Sequence, residues 1–207
     1  MSIEKAYNTW SEIYDHNVNK TRDLDQKVVQ EILDRVSFSS VLELGCGTGK
    51  NTAWLAEKAD TVVAVDFSKG MLEKAKEKIE NPKVTFIQND INEDWNVESD
   101  TFDLITINLV LEHIELLSPI FEKAQSALVE GGHLFICELH PFRQYKGSGA
   151  KYEEGGKEVR VETFIHHISD FLQPAISNHF QLVGCKEWFD EEGVKPEPRL
   201  VSFLFKK

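Results

Sequence analysis

Two features of this 207-residue chain are of the kind that does chemistry. One is a glycine cluster followed by a carboxylate, and the other is a set of histidines near the ends of apolar runs. The cluster is Gly45, Gly47 and Gly49 within V-L-E-L-G-C-G-T-G-K-N-T, Val41 to Thr52. Without a Cβ these residues let a ligand approach the backbone and permit φ > 0. The apolar residues Val41, Leu42 and Leu44 precede the cluster, and a helix-like pattern from Thr52 to Ala56 follows it. Strand, tight turn and helix N-terminus in that order make a ligand cradle lined by free N–H groups. The next apolar run, Thr61 to Val65, ends in Asp66, placed to accept both hydroxyls of a ribose. A nicotinamide fingerprint, G-x-G-x-x-G, would need a glycine where Lys50 stands. The spacing therefore favours an adenosine-type ligand over a pyrophosphate.

E-L-G-C-G-T-G followed by V-V-A-V-D-F-S resembles motifs one and two of the class I S-adenosylmethionine-dependent methyltransferases. The likeness covers residues 38–140 well and the remainder in outline. It implies S-adenosylmethionine as cofactor and S-adenosylhomocysteine as product. It also implies contacts from Glu43, Gly45, Cys46, Gly47 and Gly49 in the loop, and from Asp66, Phe67, Ser68 and Met71 after the second strand. Asp90 and Ile91 would meet the adenine, Asn108, Leu109, Val110 and His113 would line the pocket after the fourth strand, and Tyr14 would reach it from an N-terminal lid. Two other readings keep part of this pattern: a non-catalytic S-adenosylmethionine-binding regulator, and a nicotinamide oxidoreductase, which Lys50 opposes.

Methyl transfer from a sulfonium is an in-line displacement in which the donor is already activated. Positioning alone can supply roughly 7–11 kcal/mol, and a general base adds about 10²–10⁴-fold where the acceptor holds its proton. His140, just past the fifth strand, is the first candidate for that base; His166 and His167 come next, as substrate contacts. Arg143, Lys146, Lys151 and Arg160 gather positive charge in an otherwise acidic chain, so Arg143 or Arg160 is expected to hold a carboxylate or phosphate of a small-molecule substrate. Tyr145 would wall the same pocket. Asn108 is followed by Leu109-Val110 and so departs both from the N/D-P-P-Y/F motif of amino-methylating nucleic-acid enzymes and from the acids of metal-dependent catechol-type relatives. No metal is expected.

The elements that must position these residues read as one α/β unit. Apolar runs at Val41–Leu44, Thr61–Val65, Val84–Gln88, Phe102–Ile107 and Leu134–Cys137 alternate with helical stretches, the doubly wound signature. Phe180–Trp188 and Leu200–Phe205 add a closing pair. The expectation is a seven-stranded, mostly parallel sheet with an antiparallel closing strand and helices on both faces, the Rossmann-like methyltransferase fold. Residues 1–207 form a single domain, with a helical lid over 1–37 and a substrate cap at about 141–168. Asn17 to Arg22 is read as the link between two lid helices, Gly131-Gly132 as the end of the helix opened by Ser118-Pro119, and Gly155-Gly156 as a hairpin turn in the cap.

Asp and Glu outnumber Lys and Arg by 35 to 23, leaving a net charge of −12. That balance argues against nucleic-acid partners and mildly favours a cationic ligand. The start of the chain has no apolar signal-like segment and no 18-residue apolar run occurs, so neither membrane span nor secretion is expected. Cys46, Cys137 and Cys185 are too scattered for a metal or disulfide framework, as in a reducing cytoplasm. Oligomeric state leaves no mark in the sequence.

Overall fold

The computed structural model describes residues 2–16, 19–190 and 197–207. Its sheet has seven strands: β1 (Ser40–Leu44), β2 (Thr61–Asp66), β3 (Val84–Gln88), β4 (Phe102–Asn108), β5 (Leu128–Leu139), β8 (Gln181–Phe189) and β9 (Pro198–Lys206). Their spatial order is β3-β2-β1-β4-β5-β9-β8. The first five run parallel, and β9 pairs antiparallel with both β5 and β8. One strand of the seven is therefore reversed. The order changes direction between β1 and β4, the switch point where open α/β sheets leave a crevice beyond the carboxyl ends of their strands.

Side chains alternate across the sheet as strand geometry requires. Leu42, Leu44, Ile105, Ile107, Leu134 and Ile136 pack on one face under α5 (Ser118–Ala127) and α7 (Ile168–Ser177). Val41, Leu104, Phe135 and Cys137 pack on the other under α2 (Lys20–Leu33) and α3 (Lys50–Lys58). Both faces of the central strands are thus buried, which is why these runs read as nearly continuous apolar stretches. Among the described residues no helix is long and apolar enough to cross a membrane.

Sequence-based boundaries shift in two places. The helix opened by Ser118 ends at Ala127 and not at Gly131-Gly132. Those glycines lie inside β5, where Gly131 at φ +79° accompanies an irregular register against β4. Of the expected link, Asn17 and Val18 lie outside the described residues. Asn19 caps α2, its Oδ1 accepting from Thr21 and Arg22 N–H, and residues 20–22 are already helical. The first helix, α1, spans Ile3–Trp10 and continues as turns to His16. In the cap a short helix, α6 (Pro141–Tyr145), precedes a hairpin of β6 (Lys151–Glu154) and β7 (Lys157–Arg160) turned at Gly155-Gly156. That hairpin packs on the N-terminal segment, with Tyr152 stacked on Trp10 at 5.4 Å. The remaining helix, α4 (Lys69–Lys78), connects β2 to β3.

Candidate functional site

A cavity of about 950 Å³ opens at the carboxyl ends of β1, β2 and β4 and is roofed by the N-terminal segment. Its floor is the glycine loop. Gly45 sits at φ +78°, and a Cβ there would fall 2.0 Å from Val110 Cγ2, so only glycine fits both the backbone angle and the packing. Gly47, at φ +53°, has no atom within 4 Å of a notional Cβ and opens the loop toward the cavity. Gly49 is the left-handed N-cap of α3 and does not line the cavity.

Asp66 ties this loop to the next helix. Its Oδ2 accepts from Gly47 N–H and its Oδ1 from Ser68 N–H, both at 2.8 Å. Burial pushes its carboxyl up to about 6 despite these donors. Each oxygen retains acceptor capacity, so a vicinal diol could bind across the pair. Phe67, Met71, Asp90 and Ile91 continue the wall. Ser68 does not: it is fully buried, its Oγ accepting from Met71 N–H to cap α4 and donating to Asn8 Oδ1 at 2.8 Å. The expectation that Ser68 lines the pocket is corrected, because the cap geometry turns its hydroxyl toward α1.

Beyond β4, Leu109 turns the chain at φ +56°, an uncommon angle for a side-chain-bearing residue. Asn108, Leu109, Val110 and His113 line the cavity. Buried Glu138, at the end of β5, accepts from Val110 and Leu111 N–H at 2.9 and 2.8 Å and so holds this turn; burial raises its carboxyl to about 8. His166, expected to contact substrate, is buried instead with Nε2 at 3.0 and 2.7 Å from the carbonyls of Leu111 and Ile114. Carbonyls only accept, so His166 donates and pins the same turn.

His113 Nδ1 lies 2.8 Å from the Glu162 carbonyl, which fixes the proton on Nδ1. Nε2 is left to accept from the Tyr7 hydroxyl at 2.7 Å. Burial holds the imidazole below its ordinary range and raises the phenol well above its own, so both are neutral near pH 7. Tyr7 lines the cavity, and only the fold brings it to His113. Tyr14 also lines the cavity, with the Arg22 guanidinium 3.8 Å above its ring. The N-terminal segment is fastened by Asp15, which takes Thr48 Oγ1 and Lys78 Nζ at 2.7 Å each.

The other cap residues are not brought to this cavity. His140 is buried, accepts from Phe142 N–H at Nδ1 and donates from Nε2 to Glu187 at 2.8 Å. With both ring nitrogens engaged at the start of α6, it has no free position for base chemistry, and the sequence-based choice is corrected. Arg143 pairs with Asp190 at 2.8 Å and Arg160 with Glu158 at 3.0 Å. Tyr145 is exposed and bonded to His167 Nδ1 at 2.6 Å. The cap's cations are neutralised by carboxylates outside the cavity, so the expected anion clamp is absent from its described lining.

Glu43 and Cys46 line the floor. Glu43 is 4 % exposed, and burial pushes it up to about 7 although Thr52 donates to it at 2.5 Å. Asp25, from α2, and Asn51, from α3, also line the cavity; neither was singled out from sequence.

Comparison with known proteins places residues 41–132 in a family described as a methyltransferase domain. An uncharacterized methyltransferase of Emericella nidulans is 26% identical over 86% of this chain and 76% of its own length. The malonyl-[acyl-carrier protein] O-methyltransferase of Priestia megaterium is 29% identical over 65% of this chain, which spans half of that protein. In fold, the chain resembles the crystal structure of an S-adenosylmethionine-dependent methyltransferase from Clostridium acetobutylicum, with a TM-score of 0.72 at 18% identity over 98% of this chain and 97% of the other.

Proposed function

Starting from a chain that is a class I S-adenosylmethionine-dependent methyltransferase with S-adenosylmethionine as its cofactor, we propose that it methylates a small-molecule acceptor without a metal, and does so in the cytoplasm. The observation that carries this reading is the composition of one cavity. The glycine loop and Asp66 wall it together with a neutral Tyr7–His113 pair. Its residues fit the cofactor. Gly47 leaves open the space a side chain would fill, Asp66 offers carboxylate oxygens to a ribose, and Asn51 presents a buried oxygen that accepts no hydrogen bond. Among the described residues no three His, Cys, Asp or Glu side chains are grouped to hold a metal ion, and all three cysteines are free.

Bound S-adenosylmethionine supplies an electrophilic methyl group on a positively charged sulfur. The chain's own task is to position the acceptor and take its proton. In this proposal the acceptor's O–H or N–H proton passes to Tyr7 Oη as the Tyr7 proton passes to His113 Nε2. The resulting imidazolium keeps its Nδ1–H on the Glu162 carbonyl. Such a relay is worth about 10²–10⁴-fold. The Priestia relative is named for methylating a malonyl group borne on an acyl-carrier protein. An anionic acceptor has no support from the cap, whose Arg143 and Arg160 are already paired.

The test is incubation with methyl-labelled S-adenosylmethionine and a fractionated metabolite extract. Label is expected in a low-molecular-weight product. Tyr7→Phe should cut its formation at least tenfold while S-adenosylhomocysteine binds within threefold of wild type. Cofactor binding without any labelled product would favour a non-catalytic binding protein.

A further inference from the structure

Both hydrogens of the Tyr7–His113 pair are committed within the protein. His113 Nδ1–H donates to the Glu162 carbonyl at 2.8 Å, and Nε2 therefore takes the Tyr7 hydroxyl hydrogen at 2.7 Å. Toward the cavity Tyr7 Oη offers lone pairs alone. The atom methylated beside it must bring its own hydrogen, and an ionised carboxylate finds no donor there. A carboxylate also needs no base, whereas an ammonium must lose a proton before it can attack.

The charge around that oxygen has one sign. Beyond burial, the groups acting on the Tyr7 phenol are Tyr14, Glu112, Asp66 and Glu138, all acids. Glu112 is 8 % exposed, with Oε1 4.0 Å from His113 Nε2 and Oε2 buried without a hydrogen bond. A cation among these acids offsets the cost of burying their ionised forms. Two further carboxylates flank the pair from separate elements. Glu4 precedes Tyr7 by three residues on α1 and shares its face of the helix. Glu162 is the residue whose carbonyl holds His113. Both line the cavity. The lysines of the same lining are held by other acids, Lys50 by Asp23 at 2.6 Å and Lys78 by Asp15 at 2.7 Å, so neither neutralises Glu4 or Glu162. The rings of Tyr7 and Phe67, 5.8 Å apart and both in the wall, add the aromatic faces that cations favour.

We propose that the methyl acceptor is an amine bound as its ammonium ion, and that Glu4 and Glu162 select its charge. This rests on the Tyr7–His113 reading above and deepens it by naming the acceptor's class. One N–H of the ammonium donates to Tyr7 Oη. As Tyr7 passes its hydrogen to His113 Nε2 it takes that proton, and the nitrogen is left with a lone pair. The pair forms the new N–C bond while the bond from methyl carbon to sulfonium sulfur breaks, leaving a neutral thioether, a methylated ammonium and an imidazolium. The two positive charges present at the start are both retained.

The first test uses methyl-labelled S-adenosylmethionine and a metabolite extract. Label is expected in a product that survives mild alkali and is retained by a cation exchanger at pH 7, and N-acetylating the extract beforehand should abolish it. Label released as methanol by alkali, label in an unretained product, or label that persists after N-acetylation overturns the amine while leaving a methyltransferase. No label in any fraction overturns the proposed function and this inference with it. A second test does not depend on turnover. Binding of benzylamine, benzyl alcohol and benzoate to the chain loaded with S-adenosylhomocysteine, followed by saturation-transfer NMR, should favour benzylamine by about tenfold. Glu4→Gln and Glu162→Gln should each weaken benzylamine about 2–5-fold, the range for an exposed ion pair, and leave benzyl alcohol as it was. The amide of the Glu162 variant keeps the carbonyl on His113, so a loss shared by all three probes would mark a structural effect and overturn the assignment of these two acids. Absence of any preference for benzylamine overturns the proposal.

Discussion

Asp66→Asn isolates the binding role of this carboxylate from its structural one. The substitution keeps one oxygen and replaces the other by an NH2 group, which cannot accept the 2.8 Å hydrogen bond that Gly47 or Ser68 N–H now gives. Losing one hydrogen bond to a charged group costs about 1.5–3 kcal/mol. Against this stands the charge itself. A folded-state pKa of about 6, against an ordinary 3.8, means that the ionised carboxylate weakens the fold by roughly 3 kcal/mol at pH 8. The two effects nearly cancel, so the melting temperature at pH 8 should stay within about 5 °C of wild type. Ligand binding has no such compensation. Two ribose hydroxyls on a carboxylate contribute about 3–6 kcal/mol together, and an amide that keeps one acceptor forfeits roughly half. The dissociation constant for S-adenosylhomocysteine, measured by calorimetry, should rise about 100-fold. A rise of less than threefold in a variant of unchanged stability would refute the assignment of Asp66 to the ribose, and with it the orientation of the ligand in the cavity.

Other outcomes follow from the same geometry. Gly45→Ala forces a left-handed alanine and a Cβ 2.0 Å from Val110 Cγ2; it should destabilise by at least ~2 kcal/mol in a denaturant melt, and Val110→Ala should restore only the steric part. If His113 takes the acceptor's proton, kcat/KM should fall as pH drops through its lowered pKa, placing the acid limb below pH 6.5 and leaving the rate flat from pH 7 to 8. His140→Ala should leave that limb and kcat unchanged, because its ring nitrogens serve Phe142 and Glu187. Glu43, Glu112 and Glu138 have folded pKa values of about 7, 7 and 8 against an ordinary 4.5. The folded state therefore binds more protons than the unfolded one between about pH 4 and 8, and stability is present at low pH and lost as pH rises through those values. Melting curves should show a drop of roughly 10 °C from pH 5 to 8, which Glu138→Gln reduces; a flat or rising profile would contradict the burial of these acids.

The parts of the site legible in the sequence are those assembled within one or two adjacent elements. Gly45, Gly47 and Asp66 could be read because a strand, its turn and the next strand are fixed in register by the parallel pairing of β1 with β2. Asp90, Ile91 and the residues after β4 follow from the same rule, since each lies where a strand must end at the crevice. Alternation of apolar runs with helical stretches likewise gave the doubly wound sheet and its reversed closing strand.

The tertiary structure alone decided which polar side chains meet. Tyr7 and His113 are 106 positions apart in the chain, and Asp25 reaches Asn108 across 83. No spacing rule connects such pairs. His140 was chosen from sequence for lying just past β5 and Arg143 for its positive charge in the cap, but α6 begins there and its geometry turns them toward Glu187 and Asp190. Ser68 shows the same limit within a single turn, its hydroxyl being taken by the helix it caps. Sequence thus determined the backbone cradle, because backbone conformation is set by local residue types. Side-chain partnerships depended on which faces were left opposite one another once both sides of the sheet were covered.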